Sequence, residues 1–193
     1  MKETIQTYFQ WVDEVNVLAL CGGDAMVYPH FDELLQWIVK EYYPRRAKHI
    51  EIYSNAVIVP TEMQLEFFKK NKIVYRFTDY SSMTGKQKIT EVIELLERYD
   101  IMYDHVQFKE WYDCGYPQKS NGISSEQGLI NFFDMCDRKT CHGVWNNKIF
   151  FCSMCFYADL IKYCELDESD CFDLKKYDEK RKKEFVEYYL GYN

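Results

Sequence analysis

Two sets of residues in this chain have types and spacings that could do chemistry. The first is a turn in "LALCGGDAMVYPHFDELL", residues 18–35, where an apolar run ends in Gly22, Gly23 and Asp24 and a helical stripe follows. Two glycines let the backbone turn sharply and let a ligand approach closely. A carboxylate beyond them accepts hydrogen bonds from an ammonium group. The second set is the thiols of "FFDMCDRKTCHGVWNNKIFFCSMC": Cys136, Cys141, Cys152 and Cys155. Thiolates suit iron–sulfur clusters and zinc. A plainer reading stands beside each. A Gly-Gly pair after a strand is often only a turn, and free cysteines are among the most buried residue types.

The elements that must position these residues follow from periodicity. "ETIQTYFQWVD" (3–13) puts Ile5, Tyr8, Phe9 and Val12 on one helical face. "VNVLAL" (15–20), "IEIYS" (50–54), "VYRFT" (74–78) and "DHVQF" (104–108) read as strands. Between them lie three helical patterns. One carries Phe31, Leu34, Leu35, Ile38, Val39 and Tyr42. One opens with Thr61 and Gln64 at capping-box spacing, and one is preceded by Thr84 and Gln87 at the same spacing. Strands joined by helical crossovers lie parallel, so the expected class is α/β. Ligands of such sheets bind at the carboxyl ends of the strands. The Gly22-Gly23-Asp24 turn falls at such an end, as do Ser54-Asn55 and Thr78-Asp79.

After about residue 110 the character changes, which divides the chain into an α/β part, 1–110, and a cysteine-rich part, 111–193. "GVWNNKIFFC" reads as a hairpin about Asn146-Asn147, since Asn tolerates the left-handed conformation. A hairpin there folds Cys152 back toward Cys141. Cys136, at the end of the helical "EQGLINFFDMC", faces the same point with Cys155 nearby. His142, Trp111 and Asp113 are further candidates at the tail and the rim. Cys164 and Cys171 lie beyond the four thiols.

The segment "LALCGGDAMVYPHFDELLQWI" resembles the one that follows the second barrel strand in radical S-adenosylmethionine (SAM) enzymes. The matching residues are Gly22, Gly23, Asp24, Met26, Val27, Pro29, Phe31 and Leu34. The resemblance implies a partial (β/α) barrel over roughly residues 3–175. It also implies that Asp24, standing where the family has Glu, helps hold the methionine amino group of SAM. Ser54, Asn55, Thr78 and Asp79 would then lie near its ribose and carboxylate. "CDRKTCHGVWNNKIFFCSMC" is similar to the auxiliary-cluster region of the SPASM or Twitch type. That similarity implies Cys136, Cys141 and Cys152 as iron–sulfur ligands, with Cys155 as a fourth.

The family's Cys-x3-Cys-x2-Cys loop, which binds the [4Fe–4S] cluster that cleaves SAM, is not present in these 193 residues. The expectation is a truncated, degenerate or excised member that generates no radical by itself. The strand at 15–20 would then expose an edge, a route to self-association. Competing readings are a non-catalytic metal-binding or interaction protein and a zinc-stabilised binding module. The substrate, a small molecule or a peptide, is not specified.

Composition narrows the partners. The net charge is −7, and the densest basic tract, "KRKK" at 180–183, is flanked by acids. Duplex nucleic acid needs a positive face to release counterions, so a nucleic-acid partner is not expected. No apolar run approaches the ~20 residues of a membrane span, and "MKETIQTYFQ" has no apolar signal core. The expected location is cytoplasmic, where eight cysteines read as thiols or ligands rather than structural disulfides.

Overall fold

A computed structural model describes residues 1–110, 122–136, 141–162 and 166–190. The chain forms two compact units, one of Glu14–Tyr112 and one of Met1–Asp13 with Asp113–Asn193.

The first unit is a four-stranded parallel sheet. Its strands are β1 (Val15–Leu20), β2 (Ala47–Ser54), β3 (Val74–Asp79) and β4 (Tyr103–Gln107), in that spatial order. The expected α/β class holds to that extent. Each crossover moves one strand further in the same direction. Crossovers that share the usual right hand and step the same way put α2 (Phe31–Glu41), α3 (Glu62–Lys70) and α4 (Ile89–Arg98) on one face of a sheet. That face is the core, where Ile38, Ile50, Ile52, Leu65, Phe68, Tyr75 and Leu96 are fully buried. Phe68 of α3 meets Tyr75 of β3 with ring centroids 6.3 Å apart. Burying one such side chain is worth about 1.5–3 kcal/mol, so this layer carries most of the unit's stability.

Period-two alternation sends the other residues to the opposite face. Val17, Tyr53 and Val106 are exposed there. Between them Arg76 makes a two-pronged contact to Glu51, at 2.6 and 3.0 Å, and reaches Asp104 at 2.5 Å. This ion ladder crosses three strands. The strand order leaves β1 and β4 with one neighbour each.

Thr61 caps α3 as its spacing requires, accepting from the Gln64 N–H while the Gln64 side chain accepts from Thr61 N–H. The second expected capping box does not form. Helix α4 begins at Ile89 after Lys88, with no side-chain cap, and Gln87 is drawn elsewhere.

The second unit contains α1 (Lys2–Trp11), α5 (Glu126–Asp134), α6 (Ser153–Leu160), α7 (Lys182–Leu190) and an antiparallel sheet. That sheet comprises β5 (Gly143–Trp145), β6 (Lys148–Phe150) and β7 (Cys171–Asp173), in the order β5-β6-β7. Asn146 and Asn147 both take positive φ, 47° and 61°, which makes the tight hairpin turn. The sequence grouped α1 with the strands of 1–110, whereas its residues cluster with the C-terminal ones. Its apolar face explains why. The Trp11 indole N–H donates to Leu174 O at 2.8 Å, and its ring lies 5.0 Å from Phe172 and 5.3 Å from Phe185. Among the described residues no helix is long and apolar enough to cross a membrane.

Candidate functional site

The carboxyl ends of β1, β2 and β3 lie side by side, which brings the expected rim residues together. At Gly22 the backbone takes φ 153°, where L side chains are strained, and a Cβ added at Gly22 or Gly23 would meet nothing within 4 Å. The turn is therefore sharp and open. Asp24 then caps a single turn of 3-10 helix, Ala25–Val27, accepting from Met26 N–H at 2.9 Å. Its other oxygen accepts from the Ser54 hydroxyl at 2.6 Å and from Asn55 N–H at 3.1 Å. Asn55 returns the contact, its side-chain amide donating to Gly23 O at 3.3 Å. Beneath this clamp the buried Tyr75 phenol contacts Met26 Sδ at 3.5 Å, and burial pushes its pKa far up.

A second clamp joins β2 to β3, and the sequence did not reveal it. The Gln87 side chain donates to Asn55 O at 2.5 Å and to Thr78 O at 2.7 Å, and accepts from Tyr80 N–H at 2.5 Å. A third joins β3 to β4. Asp79 accepts from Ser81 N–H at 2.7 Å and from the Gln107 side chain at 3.1 Å. Asp79 is 7% exposed. Burial opposes its ionisation, but the hydrogen bonds from Ser81 and Gln107, with His105 adding, hold its carboxyl below the ordinary range. Thr78 contributes its carbonyl to the network. Its side chain has the parity of Arg76, on the face away from the helices.

The rim is thus a row of three side-chain clamps over four parallel strands. Its carboxylates are largely engaged with the protein itself. A carboxylate offers about four acceptor sites. Asp24 uses three and keeps one, sufficient for an ammonium hydrogen bond beside the open glycine turn.

The cysteines behave differently. Cys136 and Cys141 are exposed, while Cys152 and Cys155 are half-buried. The neighbouring Cys152 thiol, together with burial, raises the pKa of Cys155 far above the ordinary range. Among the described residues no three His, Cys, Asp or Glu side chains are grouped to hold a metal ion. Cys136, Cys141, Cys152 and Cys155 are thus not gathered as a metal-holding group of three or more, while Cys152 and Cys155 neighbour each other at the start of α6. These residues do not fit a cluster or a zinc ion as a set. Cys171, on β7, lies beside Lys148 and Asp170. His142 stacks on Tyr189, centroids 4.0 Å apart, and meets Phe151 edge-on. Trp111, Asp113 and Cys164 lie outside the described residues.

No family model, no curated protein and no solved structure matches this chain.

Proposed function

We propose that the chain is a half-barrel of the radical SAM type that binds SAM on the rim of β1–β3, and that these 193 residues do not cleave it. The observation that supports this reading is the joining of the Gly22-Gly23-Asp24 turn to Ser54-Asn55 across two adjacent parallel strand ends. In this reading the Asp24 carboxylate takes the ammonium of the methionine moiety, and the open turn admits it. Asn55, Thr78 and Asp79 border the ribose and carboxylate. Ser54 positions Asp24 and does not touch the ligand. In complete relatives SAM would supply the 5′-deoxyadenosyl radical; here the residues bind and orient it. An iron–sulfur cluster is not part of this reading, because no three thiols are grouped for one among the described residues.

The test is calorimetric titration of SAM into the full chain, with anaerobic dithionite incubation alongside. Saturable binding without 5′-deoxyadenosine supports the reading. Deoxyadenosine above the no-protein control overturns its second half.

A second reading, a non-catalytic interaction protein, draws on α5. Leu129, Ile130, Phe132 and Phe133 on this helix, with Met135 just beyond, are all exposed. Soluble domains seldom leave so contiguous an apolar surface without a partner.

A further inference from the structure

The hairpin leads straight into a second piece of chemistry. Strand β6 ends at Phe150, Cys152 immediately precedes α6, and Cys155 sits in its first turn. The Phe156 N–H donates to Cys152 O at 3.4 Å, so the helical turn already includes Cys152. Residues three apart on such a turn are neighbours, within reach of disulfide geometry. Both thiols are half-buried on that turn. A metal would need at least one more ligand, and among the described residues none joins them.

We propose that Cys152 and Cys155 form a reversible redox dithiol, oxidised to an intramolecular disulfide by exchange with a small-molecule disulfide such as oxidised glutathione. Cys152, immediately before the first turn of α6, is the attacking thiol. The neighbouring Cys152 thiol and burial raise the Cys155 pKa, so Cys155 reacts second. Cys152 attacks one sulfur of the oxidant, forming a mixed disulfide and releasing one thiolate, which takes up a proton. Cys155 then loses its proton and attacks Cys152 Sγ, releasing the second thiolate. Two protein thiols are oxidised, one external disulfide is reduced to two thiols, and no other reactant is needed. Short-lived disulfides of this kind are the sort found in reducing compartments.

The experiment equilibrates the full chain, after chelation, across a series of reduced-to-oxidised glutathione ratios. Free thiols are then alkylated and the peptides mapped by mass spectrometry. The expected result is a Cys152–Cys155 linked peptide that appears and disappears reversibly with a two-electron dependence. Cys155→Ser should trap glutathione on Cys152, and Cys171→Ser should leave the transition unchanged. The proposal is overturned if both thiols are alkylated at every ratio, or if Cys152 bridges to another cysteine instead. It is also overturned if the protein as isolated carries zinc or iron on these two thiols.

Discussion

Asp24 Oδ2 accepts a 2.6 Å hydrogen bond from the Ser54 hydroxyl, thirty residues away, and so fastens the end of β1 to the end of β2. Ser54 is itself buried, and its oxygen also accepts from Ala56 N–H at 3.0 Å. Removing the hydroxyl takes one of two donors from Asp24 Oδ2 and strands the buried Ala56 N–H. Ser54→Ala should cost about 1–3 kcal/mol, read as a lower denaturation midpoint with an unchanged slope. A cost within error would mean that the clamp is decorative.

The ion ladder on the open face should divide unequally. Glu51 is almost wholly buried, with a side-chain exposure of 9%, whereas Asp104 is 60% exposed and Arg76 34%. Taking the guanidinium away leaves Glu51 a buried charge held by the Tyr53 hydroxyl at 3.1 Å and no longer by Arg76. Arg76→Met should therefore cost about 2 kcal/mol, less than a fully buried pair because Arg76 is one-third open to water. Asp104→Ala should cost at most about 1 kcal/mol. Glu51→Gln combined with Arg76→Met should recover part of the loss, since the stranded charge is gone. Equal losses for Arg76→Met and Asp104→Ala in thermal unfolding would contradict this ordering.

Asp79 sets a pH dependence. Its folded carboxyl sits below the ordinary value of 3.8. Its stabilising contribution is thus complete above that value and is lost as pH falls through the folded one. Asp79→Asn should lower stability near neutral pH, and the gap to wild type should close in strong acid. Parallel stability curves down to the acid limb would count against it.

Much of the sheet was legible in the sequence. The strand at 15–20 matches β1 residue for residue, and the others fall within a few residues of β2, β3 and β4. Period-two runs and the Thr61–Gln64 spacing are local signals, and local signals survive folding. What was not legible depends on distant partners. Thr84 and Gln87 have capping-box spacing, yet the Gln87 amide finds two strand-end carbonyls that no local pattern announces. The amphipathic face of α1 was visible, but periodicity names a face and not the surface that covers it. Strand β7 is only three residues long, too short for alternation to register. The cysteine spacing pointed to four converging thiols. The hairpin does form, pairing Gly143 with Phe150, but no three of those thiols are grouped as a metal site among the described residues, and Cys152 neighbours Cys155 through the first turn of α6 rather than through the hairpin.

The position of α1 gives its own prediction. Trp11 donates to Leu174 O and joins the rings of Phe172, Tyr177 and Phe185. Trp11→Ala should cost about 3–5 kcal/mol. The loss should fall on the unit containing β5–β7. Hydrogen exchange should rise in β6 and α7 while amides of β2 and β3 keep their protection. Equal loosening of both units would show that α1 supports the parallel sheet instead.

The central claim is that the rim of β1–β3 binds SAM through Asp24. Calorimetric titration of SAM into the full chain, compared with Asp24→Ala and Ser54→Ala, tests it most directly. The account predicts one saturable site, weakened at least about tenfold by removing the carboxylate, a loss of about 1.4 kcal/mol or more. Ser54→Ala, which loosens the same clamp but keeps the carboxylate, should bind within about threefold of wild type. No saturable binding by the folded wild-type chain, or equal weakening by both substitutions, would contradict it.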